Sequence, residues 1–345
     1  MEGFSYNGIH CEELGLTYIP AAEDRMLSVP DYKPTTKTVT AHPGAYWYEN
    51  TVSQRDFVLN CLFEDVTEEV LERILQWVDR ESYGKLIFDE RPYIYYLVRP
   101  SKPPSGKRYV THPDCFGNDV SSGTIQLTFT AYDPFGYLNT LTSDGYEDAK
   151  IRCGIIPSAM MPVQDTTLNK VQLVYNPGTE KCPVRIKIAG TAANGLTIRN
   201  YTTGEVCSLV RLPESDSLVV DSSLGMVSTF SDHKTAFAYH NDGYITLASC
   251  VPYARDVEVS WTNGSNTITS QGKFLKMYEN NYVYIGDKWM KILKVYGANS
   301  AVVDSNVTAE TGSAQTVITR MNEIYITGEG AELTLLQFDY TPRTR

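Results

Sequence analysis

Five histidines, seven cysteines and a few paired carboxylates are the groups in this chain whose types could do chemistry. A metal site needs His, Cys, Asp or Glu at ligand spacing, and a hydrolase needs an activated nucleophile or two opposed carboxylates. His10, His42, His112, His233 and His240 each stand beside turn residues, and none has a partner at metal spacing. Glu12-Glu13, Glu64-Asp65 and Glu68-Glu69 pair carboxylates along the chain. Sequence neighbours in strands or helix caps do not form an acid/base pair, although a glycosidase can draw its carboxylates from distant strands. HExxH, GxSxG, the Walker loop and a GxGxxG opening a helix are all missing. Gly328 and Gly330 form a GxG that a strand follows, which reads as a turn. The sequence thus predicts no catalytic, cofactor-binding or metal-binding residues and no enzyme.

The cysteines (Cys11, Cys61, Cys115, Cys153, Cys182, Cys207, Cys250) are odd in number, scattered and without a CxxC. They read as reduced thiols, several buried in strands, of a protein assembled in a reducing cytoplasm. The stretch "MEGFSYNGIHCEELGL" is acidic and has no apolar core, so no signal peptide is expected. No run approaches the roughly 20 apolar residues of a membrane span. The triplets at Asn200, Asn263 and Asn306 then read as chance matches to a glycosylation motif.

The formal net charge is −11, from 30 Lys and Arg against 41 Asp and Glu. That excludes a chain-wide basic footprint for gripping nucleic acid, while like charge suits a surface that DNA must slide past without sticking. The 24 tyrosines, with many Thr and Val, favour strands and large contact surfaces. In "AHPGAYWYEN" three rings follow one another, Tyr46, Trp47 and Tyr48. Strand alternation buries about half of such a row. These three residues are therefore the candidate contact with another subunit or a partner, unless they pack on a neighbouring hairpin of the same chain.

The elements that must position these residues are mostly strands. Residues 1–150 open with "GFSYNG" and "GLTYIP" about an Asn7-Gly8 turn, then an extended run held by Pro30, Pro34 and Pro43. In "RDFVLNCLFED" the residues Phe57, Leu59, Cys61 and Phe63 share one face. One helix is expected in "DVTEEVLERILQWVDRES", capped by Asp65 or Thr67, with Val70, Ile74, Trp77 and Val78 as its apolar stripe. "GKLIFDERPYIYYLVRP" reads as two strands, "SKPPSGKRYVTHPDCFGND" as loop, and "GTIQLTFTAYDPFGY" as a long strand. From about Lys150, turn signals every 8 to 12 residues or so suggest an antiparallel sandwich.

Residues 254–320 carry strands, turns and an apolar set of their own: Val257, Val259, Ile268, Tyr284, Ile292, Val295 and Val302. They read as a small β-barrel inserted in a sandwich loop, which costs little if its ends stay close. The closing hairpin, 321–345, then completes the sandwich begun at 151–253. The expected fold is mainly β: a β-sheet domain with one α-helix over 1–150, then an antiparallel β-sandwich carrying the inserted barrel.

The order of these pieces resembles siphophage distal tail proteins, the hub or baseplate proteins of the tail tip. The likeness is carried by "GFSYNGIHCEELGL", "AHPGAYWYEN", "RDFVLNCLF", "EEVLERILQWV", "GKLIFDERPYIYYLV" and "GTIQLTFTAYDPFGY", then by "LVYNPGTEKCPVRIKIAG", "LTIRNYTTGE", "LVVDSSLGMV" and the final 25 residues. It covers nearly the whole chain except 254–320, where a simple family member runs directly to the strand of Asn322, Ile324 and Ile326.

The resemblance implies a galectin-like C-terminal sandwich and a homo-hexameric ring built by the N-terminal domains. Such a ring lies in the virion tail tip, between the tail tube protein and the tail-tip hub protein, and leaves a channel for DNA. It implies sandwiches that project outward and carry receptor-binding or fibre proteins, with no specific nucleic-acid binding. The alternative is a carbohydrate-binding adhesin whose sandwich takes a cell-surface glycan.

Overall fold

The structure is a computed structural model. It describes residues 3–20, 32–38, 45–79, 82–114, 117, 119–138, 141–142, 160 and 165–344, with the side chains of 32, 37–38, 45–51 and 141–142 outside that description. The chain is mainly β with one α-helix among the described residues, the class the sequence predicts. It divides into two compact units, Met1–Leu138 with Thr344–Arg345, and Asn139–Arg343.

The first unit is built on an antiparallel sheet. Its strand order is Ile9–His10, Phe4–Tyr6, Gly84–Phe88, Tyr95–Pro113, Asp119–Ala131, Arg55–Thr67 and Leu16–Ile19. The Asn7-Gly8 turn joins Phe4–Tyr6 to Ile9–His10, whereas Leu16–Ile19 pairs with Arg55–Thr67 at the other end of the sheet. Alternation along Arg55–Thr67 buries Phe57, Leu59, Cys61 and Phe63 on one face.

The helix Glu68–Val78 covers that face with Ile74, Trp77 and Val78. Thr67 takes the N-cap position but makes no side-chain cap bond. Asp65 does not cap the helix either: it sits at φ 53°, and its carboxylate accepts from Ser122 Oγ at 3.3 Å. Glu68 and Glu69 in the first turn complement the helix dipole instead. Trp77 locks the helix to the sheet by donating from Nε1 to Tyr6 O at 2.9 Å, and its ring stacks on Phe4. Fully burying side chains of this size stabilises by roughly 1.5–3 kcal/mol each.

The second unit contains two packed sheets. One runs Leu141–Thr142, Glu332–Tyr340, Cys182–Thr191, Leu218–Asp221 and Met226–Thr229, with Thr246–Leu247 also paired to Cys182–Thr191. The other runs Val171–Val174, Asn322–Thr327, Leu196–Asn200, Val206–Leu209 and His240–Asp242. Ile186, Ile188, Ile198, Cys207, Val220, Ile324 and Phe338 fill the space between them. The last two long strands are not a hairpin within one sheet. Asn322–Thr327 lies between Val171–Val174 and Leu196–Asn200, while Glu332–Tyr340 lies in the facing sheet, so Gly328 and Gly330 turn an arch across the sandwich.

Between Thr246–Leu247 and Asn322–Thr327 the chain makes a closed barrel. Its order is Ala254–Trp261, Thr267–Thr269, Ser300–Val303, Lys288–Tyr296, Tyr282–Ile285 and Gly312–Thr319, which returns to the first strand. Val257, Val259, Ile268, Val283, Ile285, Ile292, Ala301, Val303 and Ile318 fill it. Ala301 and Val303 point inward, so Val302 faces out, and Tyr284 and Val295 are only half-buried. A run of strand formers such as "SAVV" gives no hint of which parity faces in.

Candidate assembly interface

The three rings singled out in the sequence, Tyr46, Trp47 and Tyr48, stand on Ala45–Val52. That strand pairs with Tyr32–Thr38, placing Trp47 opposite Thr36 and Tyr46 opposite Lys37, with an irregularity between Thr35 and Thr36. The side chains of the three lie outside the described residues. Among the described residues the pair joins no other strand. A two-stranded hairpin on its own is marginal in water and needs a covering surface.

A second feature of this unit was not legible as a strand. Tyr95–Pro113 is one 19-residue strand, not a strand followed by a loop. Its first residues, Tyr95 to Val98, pair with Gly84–Phe88, and Tyr95 also pairs with Tyr137. From Arg99 to Pro113 it pairs only with Asp119–Ala131, so among the described residues its other edge is open. Register breaks at Pro100/Lys102, Lys102/Ser105 and Arg108/Val110. Pro103 and Pro104 fall inside the second break, where no ladder N–H is required of them.

Every residue from Ser101 to Pro113 except Pro104 is exposed, Tyr109 at 59% and Val110 at 55%. The arm is fastened at its outer end: Arg108 pairs with Glu68 at 2.7 Å, and His112 Nε2 meets Asp65 at 3.0 Å. Both are surface pairs worth about 0–1 kcal/mol each, so they orient the arm more than they stabilise it. An open, exposed edge bearing Tyr and Val is a template for pairing with another chain.

The other chemistry-bearing residues are taken up locally. His10 lies 3.1 Å from Asp89, His240 lies 2.8 Å from Gly243 O, and Glu13 accepts from His10 N at 3.0 Å. His233 is exposed at φ 52°, and His42 lies outside the described residues. No group of three or more His, Cys, Asp or Glu able to hold a metal occurs among the described residues. Cys11, Cys61, Cys182, Cys207 and Cys250 are free and buried, while Cys115 and Cys153 lie outside the described residues. Burial pushes the thiols of Cys61, Cys207 and Cys250 up to about 12, away from nucleophilic use. No described helix is long and apolar enough to cross a membrane.

Residues 9–131, which span most of the first unit, match the family described as the phage tail protein RIFT-related domain. No curated protein matches the chain. Among solved structures, the Dit protein of SPP1, described as a paradigm of the hub adsorption apparatus in phages infecting Gram-positive hosts, is 13% identical. That likeness covers 93% of this chain and 99% of the other, at a TM-score of 0.47. A chain of the phage P2 baseplate in its activated conformation with Ca is 8% identical over 99% of this chain and 98% of its own, at 0.37. The same baseplate with Sr gives 8%, 99% and 98%, at 0.35. Scores of this size describe a loose overall likeness, and the family match is confined to residues 9–131. The resemblance read from the ordered motifs is thus matched over residues 9–131, where the chain is similar to the phage tail protein RIFT-related domain.

Proposed function

We propose that this chain is a hub subunit of a siphophage tail tip. Six copies close a ring through residues 1–150, between the tail tube protein and the tail-tip hub protein, around a channel for DNA. The observation that carries this reading is the open edge from Arg99 to Pro113, together with a hairpin that pairs with no other strand among the described residues. A ring requires a heterologous contact in which one surface of each copy meets a different surface of the next. A strand edge and a separate aromatic hairpin on one domain are two such surfaces. The net charge of −11 suits a channel that DNA crosses without being held.

In this reading the galectin-like sandwich, 151–253 with 321–345, projects outward and presents the barrel, 254–320, to receptor-binding or fibre proteins. The barrel departs from the acidity of the chain, with seven Lys and Arg against six Asp and Glu over 254–320. It also exposes Leu275, Met277, Leu293 and Tyr296 on its surface.

Native mass spectrometry with negative-stain imaging of the purified chain tests the proposal. A six-membered ring with a central hole is the expected result. A chain that stays monomeric both alone and when mixed with its tail tube protein overturns it.

A further inference from the structure

Three Asn-Gly pairs occur in the chain, at Asn7, Asn194 and Asn263. An asparagine is most labile before glycine, which has no side chain to keep its own nitrogen from the preceding carboxamide carbon. The fold decides whether that attack happens. The glycine N–H must be free to give up its proton, and the carboxamide must be free to turn toward it.

Two of the three pairs are held. Asn7 stands at φ 52° in the turn between Phe4–Tyr6 and Ile9–His10, and its Oδ1 accepts from Lys85 N at 3.3 Å. Gly84 packs against that oxygen, since a Cβ there would lie 2.6 Å from it. Asn263 donates from Nδ2 to Thr308 O at 3.3 Å, and Gly264 donates from N to Val307 O at 2.8 Å. At both places the attack must first break a hydrogen bond of the folded chain.

Asn194 is held by neither device. Its side chain is exposed and makes no hydrogen bond or ion pair among the described residues. Gly195 N reaches Ala192 O only at 3.4 Å, longer than the roughly 2.7–3.2 Å of an ordinary backbone bond.

We infer that Asn194 is a site of spontaneous deamidation, the one Asn-Gly pair of the three that the fold leaves open. Gly195 N bonds to Asn194 Cγ, the carboxamide C–N bond breaks, and ammonia leaves with the proton from Gly195 N. Water then opens the cyclic imide at either carbonyl, giving aspartate or isoaspartate. The balance is one water gained and one ammonia lost, with no other reactant. Either product places a new carboxylate in the recess that Glu329 also lines. Isoaspartate further adds a methylene to the backbone of the turn that carries the chain from Cys182–Thr191 to Leu196–Asn200 in the facing sheet. That turn has little slack: a Cβ on Gly195 would lie 2.8 Å from Leu209 O, and one on Gly328 would lie 2.9 Å from Gly195 O. This inference stands on local geometry and does not depend on ring assembly.

Peptide mapping by mass spectrometry tests it on the full chain, held slightly above neutral pH and sampled over weeks. Trypsin places the three sites on separate peptides, Asn194 on Ile188–Arg199. Parallel samples in urea report the rates that the sequence alone sets, and there the three sites should convert at similar rates. In the folded chain Asn194 should outpace each of the other two by about tenfold, the protection one hydrogen bond gives. A protein isoaspartyl methyltransferase should label the Ile188–Arg199 peptide of the aged, folded chain. Asn194→Gln should abolish the conversion, because the longer side chain closes a ring less readily. Equal rates at the three sites in the folded chain, faster conversion at Asn7 or Asn263, or an unchanged Asn194 while urea converts it would overturn the inference.

Discussion

Glu323, on a central strand of the sandwich, accepts the phenol proton of Tyr282, on the barrel, at 2.9 Å. Lys291 of the barrel reaches the same carboxylate oxygen at 2.6 Å, and both charged side chains are largely out of solvent, 26% and 21% exposed. Tyr175, Cys250, Tyr282, Val317 and Met321 form an apolar seam beside this cluster. Thr319 Oγ1 donates to Cys250 O at 2.5 Å, and Trp289 Nε1 donates to Met160 O at 2.5 Å. The insertion is thus docked onto its host sandwich rather than tethered by two loose strands.

Glu323→Ala should detach this cluster. It leaves the Lys291 ammonium and the Tyr282 phenol without their shared acceptor in a site from which water is mostly excluded. The expected cost is about 1–3 kcal/mol, read as a shift in the urea midpoint. Limited proteolysis should show new cleavage near 250–254 and 319–321. Glu323→Gln keeps an acceptor for Tyr282 and should lose less. Equal stability and unchanged cleavage in Glu323→Ala would show that the apolar seam alone holds the barrel.

Three fully buried asparagines tie the segment before the barrel into the sandwich. Asn322 Oδ1 accepts Ala248 N at 2.7 Å and Asn200 Nδ2 at 3.2 Å, while its Nδ2 donates to Ala248 O at 3.0 Å. Asn200 also donates to Thr246 O at 2.7 Å, and Asn176 to Leu247 O at 3.2 Å. Asn322→Leu matches the volume but leaves Ala248 N and O without these partners. It should destabilise by at least about 2 kcal/mol in equilibrium denaturation, more than the same change at half-buried Thr327.

Periodicity made much of this legible. The alternation of Phe57, Leu59, Cys61 and Phe63, the helix carrying Ile74, Trp77 and Val78, and the Asn-Gly and Gly-rich turns all have local causes, so a single sequence displays them. What escaped reading has non-local causes. Prolines at 100, 103 and 104 signal a loop, yet the strand persists because its partner tolerates register breaks at those places. The arch at Gly328–Gly330 looks like a hairpin turn because a hairpin and a sheet-to-sheet arch need the same turn residues. The row of Thr327, Thr197 and Ser208 at one end of the five-stranded sheet exists only after its strands are in register.

The buried thiols give the chain an alkaline limit. Cys61, Cys207 and Cys250 are pushed by burial from the ordinary 9.0 up to about 12. Above pH 9 the unfolded chain releases these protons while the folded chain keeps them, so the unfolded state is favoured. Their contribution is complete below pH 9 and is lost as the pH rises toward 12, at up to about 1.4 kcal/mol per pH unit per thiol. Denaturation midpoints should be level from pH 7 to 8.5 and fall steeply from pH 9 to 11. Replacing Cys207 by Ala should flatten that fall, and a slope unchanged in this variant would assign the alkaline limit to other groups.

The open edge of Tyr95–Pro113 and the hairpin of Tyr46, Trp47 and Tyr48 make separable predictions for the ring. Tyr109→Lys with Val110→Lys places charge on an exposed strand edge, the device by which natural sheets refuse edge pairing. Both residues are mostly exposed in the monomer, so circular dichroism and the denaturation midpoint should stay near wild type. Ring assembly, followed by native mass spectrometry across a dilution series, should weaken by about tenfold or more. Replacing Tyr46, Trp47 and Tyr48 together with Ser tests the other surface, and a heterologous contact requires that each set alone disrupts the ring. Mixing the two variants is the sharper experiment: each retains one intact surface, so they should form dimers across the single intact contact but no closed ring. Dimers formed by one variant alone would mean that the two surfaces do not meet each other.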